Sequence, residues 1–332
     1  MAPPRRVVVS APARANLLGN PSDQYGGSQI SCSVPLRARV VLTAAAATRL
    51  ATGGAECAVD GPRDLAPRGD PFDLARVVLA AGAELPGAHV AYESEIPLQS
   101  GLAGSTALVV ALLFALARWR GAALSLHALA EEARRIEAEG LGVTCGFGDQ
   151  YMAAFGGLAY LDFRGKAPRD DLARQPYATV EPLAGHVPAL PFVLADTGVR
   201  HSSDRVHRPI RERWLAGERE VVSGYERVAE LAREGKRVLL AADWPRLGAL
   251  MDENHAVQRG FGGSGESNER LIAAARGAGA LGAKLAGAGQ GGTIVALVDE
   301  AERGKVERAL REAGASAVHR PAPVDGVRLE EA

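Results

Sequence analysis

Pro97 to Ala107 reads PLQSGLAGSTA and runs straight into an apolar helix. Its glycines let a backbone approach a phosphate, and the free N–H groups opening the helix supply donors and a favourable dipole. Ser105 or Thr106 would then reach a magnesium ion. The same residues also describe a glycine-rich entry to a buried helix with Ser105 as its cap, and alone the segment does not separate the two readings. A Walker A loop is excluded, because G-x-x-x-x-G-K-[ST] needs a lysine and none occurs here. Ile96 to Ala117 carries no charge over 22 residues, long enough for a membrane span. Its first half is Pro, Gln, Ser, Gly and Thr, however, so only Ala107 to Ala117 is truly apolar. A buried core helix fits better.

The whole chain has 332 residues, suited to two domains at roughly 150 residues each. At 47% hydrophobic and 23% charged it can build a sizeable core. Thirty-eight basic and 39 acidic side chains leave a net charge of −1, so no global field draws nucleic acid or an anionic membrane. Cys32, Cys57 and Cys145 are odd in number and lack metal-like spacing. A disulfide framework or structural zinc is therefore not expected, and a cytoplasmic location is. The amino terminus offers a three-valine run before Ser10, too short for a signal-peptide core.

Arg5–Ser10 and Val40–Thr43 read as strands, Phe72–Ala83 as a helix and His89–Glu95 as a strand. Helices follow at Ser105–Trp119 and Ser125–Glu139, the second capped by Ser125. Asp149–Phe155 starts a short helix, Gly157–Phe163 reads as a strand and Arg164–Gln175 as a surface loop. After the strand Pro191–Asp196, helices dominate: Arg205–Trp214, Glu218–Arg233, Asp243–Val257 and Glu266–Gly277. Strands at Lys284–Ala286 and Thr293–Val298 flank a glycine loop, with a helix at Ala301–Ala313 and a closing strand at Ala317–Arg320. Hairpins mixed with helices give α+β rather than a doubly wound parallel sheet. The boundary falls between Phe163 and Pro191, dividing the chain into 1–185 and 186–332.

Two further glycine segments matter. PARANLLGNPSDQYGG (Pro12–Gly27) places an Arg, an Asn and an Asp close together, a set able to hold polyol hydroxyls. It reads equally as a strand–turn–strand whose Asn20 and Asp23 serve local turns. GAGQGG (Gly287–Gly292) satisfies G-x-G-x-x-G, but a helix lies upstream and the strand TIVALVD follows directly. That order is wrong for a dinucleotide fold. Finally, Glu137 and Asp149 stand on either side of the loop GVTCGFG. Magnesium takes one or two carboxylates plus substrate phosphates, and a second carboxylate can orient a hydroxyl. Taken singly, Glu137 also fits a solvated helix face and Asp149 a helix cap.

In this order the three segments resemble the motifs of the GHMP kinase superfamily: PARANLLGNPSDQYGG the first, PLQSGLAGSTAL the phosphate-binding second, KLAGAGQGGTIVAL the third. The resemblance spans Pro12 to Leu297. It implies the two-domain α+β GHMP kinase fold, with an N-terminal ribosomal-protein-S5-like domain and a C-terminal ferredoxin-like α/β domain. GFGDQYMAAFGGLAYLDF resembles the acceptor-side segment of the sugar kinases. LLGNPSDQYGG, GGLAYLDF and DRVHRPIRERWLAGE look most like the glucuronokinases, which phosphorylate the anomeric hydroxyl of glucuronate. Galactokinases have Glu-His where this chain has Asn20-Pro21, which disfavours galactose itself.

The resemblance implies a cytoplasmic, ATP- and Mg²⁺-dependent sugar kinase, monomer or homodimer, with a sugar or sugar acid as partner and neither nucleic acid nor membrane. The nucleotide phosphates fall to Pro97, Ser100, Gly101, Leu102, Ala103, Gly104, Ser105 and Thr106, and Mg²⁺ to Ser105 and Glu137. Asp149 would orient the attacking hydroxyl, with Arg14 beside it and the transferring phosphoryl group. An aspartate is a weak base for a sugar hydroxyl, so orientation is its expected role. Asn20, Ser22, Asp23 and Tyr25 would bind the sugar. Arg200 and His201, in a cluster with His207 and Arg208, suit a substrate carboxylate or phosphate, or equally a charged helix entry. Gly287, Gly289 and Gly291 would let the third loop pack against the nucleotide loop. The alternatives are a galactose-, heptose- or mevalonate-type kinase on the same fold, or a non-catalytic sugar- and nucleotide-binding regulator.

Overall fold

The computed structural model describes residues 6–82, 85, 87–166, 175–200 and 203–331. In chain order the first half holds β1 (Arg6–Leu18), β2 (Ser28–Ala44), β3 (Thr48–Thr52), β4 (Ala55–Val59), α1 (Asp73–Ala80), β5 (Ala88–Ser94), α2 (Gly104–Trp119), α3 (Leu126–Arg135), α4 (Gly148–Phe155), β6 (Leu158–Asp162) and β7 (Thr179–Pro182). The second half holds β8 (Phe192–Asp196), α5 (Ser203–Leu215), α6 (Arg219–Leu240), α7 (Trp244–Gly260), α8 (Glu266–Gly277), β9 (Gly282–Leu285), β10 (Thr293–Leu297), α9 (Arg303–Glu312), β11 (Ala317–His319) and β12 (Arg328–Glu331).

One sheet runs in the order β12-β1-β2-β5-β3-β4, with β6 against β2 and β7 against β6. The long β2 serves both neighbours: its start pairs with β6 and its end with β5. The other sheet is antiparallel, in the order β11-β8-β10-β9. It has its own apolar cluster, including Val193, Leu271, Ile294, Val306 and Leu310. This is a two-domain α+β architecture. The last strand, β12, nevertheless returns to pair with β1, so the second half closes an edge of the first sheet.

The uncharged run from Ile96 is a loop feeding α2, whose helix buries Leu108, Val109, Val110, Leu112, Leu116 and Trp119. A helix apolar on nearly every side belongs inside a protein, and each such side chain contributes roughly 1.5–3 kcal/mol on burial. Among the described residues no helix is long and apolar enough to cross a membrane.

Strand β1 continues through Leu18, well past Ser10, and everything after Arg6 is buried. A strand covered on both faces loses the alternation that marks a strand in sequence. The hairpin β3–β4 and strands β7 and β12 are additions to the elements read from sequence. Ser125 does cap α3, accepting from the Ala128 N–H at 3.1 Å. That helix does not run on regularly to Glu139: it widens into a π-turn over Ile136–Gly140, with Glu137 inside it. Such turns are frequent at functional sites. Of the expected surface loop Arg164–Gln175, residues 167–174 lie outside those described.

Candidate active site

The loop before α2 has positive φ at Gln99 (56°), Gly101 (74°) and Ala103 (62°), alternating with residues of negative φ. Such alternation turns successive N–H groups into a concave, anion-attracting surface. The left-handed Ala103 costs roughly 1 kcal/mol relative to glycine, strain of the kind that collects at functional loops. The loop ends at the N-terminus of α2, 16 residues long, whose first N–H groups and dipole favour an anion. Two bonds brace it: Ser100 Oγ donates to the Pro97 carbonyl at 2.8 Å, and Thr293 Oγ1 donates to the Ser100 carbonyl at 2.8 Å.

This loop forms part of the wall of a cavity of about 400 Å³. Arg14 reaches into the cavity from β1 and Asp149 from the first turn of α4. They pair through two bonds: Nε to Oδ1 at 2.7 Å and Nη2 to Oδ2 at 2.6 Å. The third arm of the fork, Nη1, donates to the Gly101 carbonyl at 2.6 Å. One guanidinium therefore fixes the acidic group relative to the phosphate loop, a geometry that lysine lacks. The α4 start is itself held by Asp23, whose Oδ2 accepts from the N–H groups of Phe147 (2.8 Å) and Gly148 (2.9 Å). Burial raises Asp23 above the ordinary aspartate range against the lowering effect of those two bonds.

Glu137 is buried, accepting at Oε1 from Thr106 Oγ1 (2.8 Å) and at Oε2 from Gln150 Nε2. Neither direct partner is cationic, and burial lifts the carboxyl to about 7. A buried carboxylate bonded by the Thr106 hydroxyl, with the Ser105 hydroxyl on the same cavity wall beside an anion-binding loop, is a hard-oxygen donor set, and Mg²⁺ with nucleotide phosphates fits it. Glu137 with Ser105, which lines the cavity, would hold the ion, while Thr106 orients the carboxylate.

Among the other residues singled out in the sequence, Asn20 and Asp23 line the cavity, as do Gly104 and Gly287. Pro97 and Leu102 stand behind it: the Pro97 carbonyl takes Ser100, and Leu102 is a core anchor whose carbonyl accepts from the Arg14 N–H. Ser22 and Tyr25 turn away from the lining. Ser22 donates to the Ser28 carbonyl at 3.1 Å, and Tyr25 stacks on Tyr225, ring centroids 4.3 Å apart, beside Trp214. The cationic cluster divides. His207 lines the cavity, Arg208 pairs with Asp204 at 2.7 Å, Arg200 is exposed away from the lining, and His201 lies outside the described residues.

The third-motif glycines divide as well. A Cβ on Gly287 would lie 2.8 Å from the Gly101 carbonyl, so that glycine does admit the phosphate loop. Gly289 packs against Gly263 and Gly291 against Val199, away from that loop. They shape the turn, where left-handed φ of 96° and 124° is needed.

Sequence reasoning missed several residues. Asn16 and Gln24 line the cavity from the first motif, and Thr144 from the loop before α4. Gln150, next to Asp149, orients Glu137. Apolar lining comes from Leu74, Ile96, Leu98 and Leu108, with Leu98 69% exposed. The exposure of Leu98 is a property of the fold and leaves no mark in the sequence.

Anion-binding loop, hard-oxygen donor set and arginine-held aspartate in one cavity are arranged as phosphoryl transfer would require. Residues 73–157 match the GHMP kinases N terminal domain and residues 236–316 the GHMP kinases C terminal domain. The chain is 31% identical over 250 residues to mevalonate kinase of Pyrococcus horikoshii, covering 74% of this chain and 69% of that one. It is 30% identical over 215 residues to glucuronokinase 1 of Arabidopsis thaliana, covering 64% of this chain and 57% of that one. Galactokinase of Lactococcus lactis, solved in complex with galactose, superposes with a TM-score of 0.77 at 18% identity, over 97% of this chain and 95% of that one. The chain belongs to the GHMP kinase family, and it is an ATP- and Mg²⁺-dependent phosphotransferase acting on a hydroxyl of a small organic molecule.

Proposed function

We propose that the acceptor is a small polyhydroxylated molecule, a sugar or sugar acid, bound against β1 and the turn after it. The observation that carries this reading is the amide-rich wall beside Asp149: Asn16, Asn20 and Gln24 line the cavity together with Asp23. Amides both donate and accept, which is what a row of hydroxyls requires. Arg14 is already committed to Asp149 and Gly101, so an acceptor carboxylate would look to His207 on the cavity wall. Glucuronate is one member of this class, and the relatives do not single it out. The longer match to a mevalonate kinase than to a glucuronokinase supports mevalonate as the second reading.

The reaction follows from the arrangement. The loop from Gln99 to Thr106 takes the phosphates of ATP on backbone N–H groups, and the apolar lining of Leu74, Ile96, Leu98 and Leu108 suits the base. Mg²⁺, when bound, offsets the charge of the phosphates. Asp149 accepts a hydrogen bond from the acceptor hydroxyl and aims its oxygen at the terminal phosphorus, while Arg14 keeps the carboxylate oriented. Transfer forms the new O–P bond as the bond to ADP breaks, and the hydroxyl proton is released. Positioning and electrostatics carry most of such a step.

A coupled ADP-release assay over glucuronate, galacturonate, galactose, glucose, heptose phosphates, mevalonate and homoserine tests the reading. Turnover is expected with a sugar or sugar acid. Turnover with mevalonate or homoserine alone would overturn the acceptor class, as would no turnover with any of the seven.

A further inference from the structure

We infer that Lys284, a side chain behind the cavity wall, is a positioning residue for the acceptor: it fixes the amide of Asn20 and thereby ties the acceptor wall to the phosphate loop. The inference rests on the acceptor site proposed above and deepens it.

Lys284 stands on β9 and is fully buried. Its Nζ donates to Asn20 Oδ1 at 2.5 Å and to the Leu285 carbonyl. Both oxygens are neutral, so the ammonium is desolvated against partners that do not cancel its charge. Burying such a group is unfavourable, whereas a methionine would fill the same space without that cost. What the lysine supplies is its N–H groups at a fixed point.

That point determines Asn20. An ammonium only donates, so it must face Oδ1. Asn20 Nδ2 donates to the Gly287 carbonyl at 3.3 Å, and a carbonyl only accepts. The two partners admit one orientation of the amide, and Asn20 lines the cavity in that orientation. The backbone is held too: Asn254 on α7 accepts from the Gly19 N–H at 2.9 Å and donates to the Asn20 carbonyl at 3.2 Å.

The frame continues into the nucleotide side. Gly287 abuts Gly101, whose carbonyl accepts from Arg14, the partner of Asp149. Lys284 thus lies at the root of a hydrogen-bonded and packed series running from acceptor wall to phosphate loop. Burial, with the positive charge of Arg14 adding to it, pulls the Lys284 ammonium down to about 7, as expected of a cation held there without a counter-charge.

The test uses the full chain and the acceptor among glucuronate, galactose and mevalonate that the wild type turns over best. Lys284→Met, Asn20→Ala and the double variant are compared by kcat, by KM for acceptor and for ATP, and by calorimetric binding of the acceptor without ATP. Lys284→Met is expected to raise the acceptor KM and dissociation constant about tenfold, as loss of a charge-assisted hydrogen bond does. ATP KM should move less than about twofold, and the double variant should be no worse than Asn20→Ala alone, because coupled residues are not additive. An unchanged acceptor KM, equal losses for both substrates or full additivity would each overturn the inference. If Lys284→Met does not fold, Asn20→Ala alone must raise the acceptor KM while sparing ATP, and failure to do so overturns it. A wild type inactive on all three acceptors counts against the proposed acceptor, whereas an active wild type with an unaffected Lys284→Met counts against Lys284.

Discussion

Gly287 and Gly101 approach so closely that a Cβ built on Gly287 would lie 2.8 Å from the Gly101 carbonyl oxygen. The same oxygen accepts the Arg14 hydrogen bond that locates Asp149. A loop of the second half of the chain therefore sets the position of the phosphate loop and, through it, of the acidic group. Thr293 adds a second tie, to the Ser100 carbonyl.

Gly287→Ala should accordingly act on catalysis. Backbone rather than a flexible side chain occupies the space, so the phosphate loop must shift. Displacements of that kind cost on the order of a hundredfold in kcat/KM for ATP. Steady-state kinetics check it, and a variant within twofold of wild type would show that the contact is slack.

Asp149→Asn should lower kcat by at least roughly a hundredfold while nucleotide affinity, measured by calorimetry with a non-hydrolysable ATP analogue, is kept. The amide can retain one bond to Arg14, but it loses the negative charge and half of the acceptor set that orients the hydroxyl. A comparable loss of nucleotide affinity would move Asp149 from the acceptor side to the nucleotide side.

Much of this site was legible because its chemistry sits in loops where glycine is needed. Gly101 and the Ser105-Thr106 pair could be read from PLQSGLAGSTA, whereas Asp149, which taken singly fits a helix cap, drew its role from the resemblance carried by the three motifs together. What stayed hidden has physical causes. Asn16 lies within a strand covered on both faces, so no alternation marks it. Glu137 could be named as a metal ligand but its burial could not be read: in sequence it resembles the solvated glutamates around it, and it sits where the helix widens into a π-turn. Tyr25 sits in the first motif, but stacking on Tyr225, 200 residues away, draws it out of the cavity. Long-range packing of that kind leaves no local signature.

Glu137→Gln should separate metal binding from folding. The amide keeps the shape and can still accept from Thr106, but it removes the charge that Mg²⁺ needs. The Mg²⁺ concentration for half-maximal activity is expected to rise more than about tenfold. Because burial holds the wild-type carboxyl at about 7, metal must displace a proton, and wild type should need more Mg²⁺ as pH falls below that value. The variant should lose this dependence. Metal titrations at several pH values decide it; identical pH dependence in both proteins would remove Glu137 from the metal site.

Lys284 offers a pH test that is independent of turnover. Its ammonium is lowered from 10.5 to about 7 in the folded protein. Between those values the unfolded chain binds more protons than the native one, so this group makes stability rise with pH across the window. Below about 7 both states are protonated and the full penalty of burying the cation is present. Replacing the lysine with methionine removes that slope together with the two hydrogen bonds. The melting temperature of Lys284→Met relative to wild type should therefore be most favourable below pH 7 and should decline steadily toward pH 10, whatever constant offset the lost bonds impose. Thermal unfolding across that range measures it. A difference that stays flat, or that grows with pH, would mean that Lys284 is not the buried cation its surroundings describe.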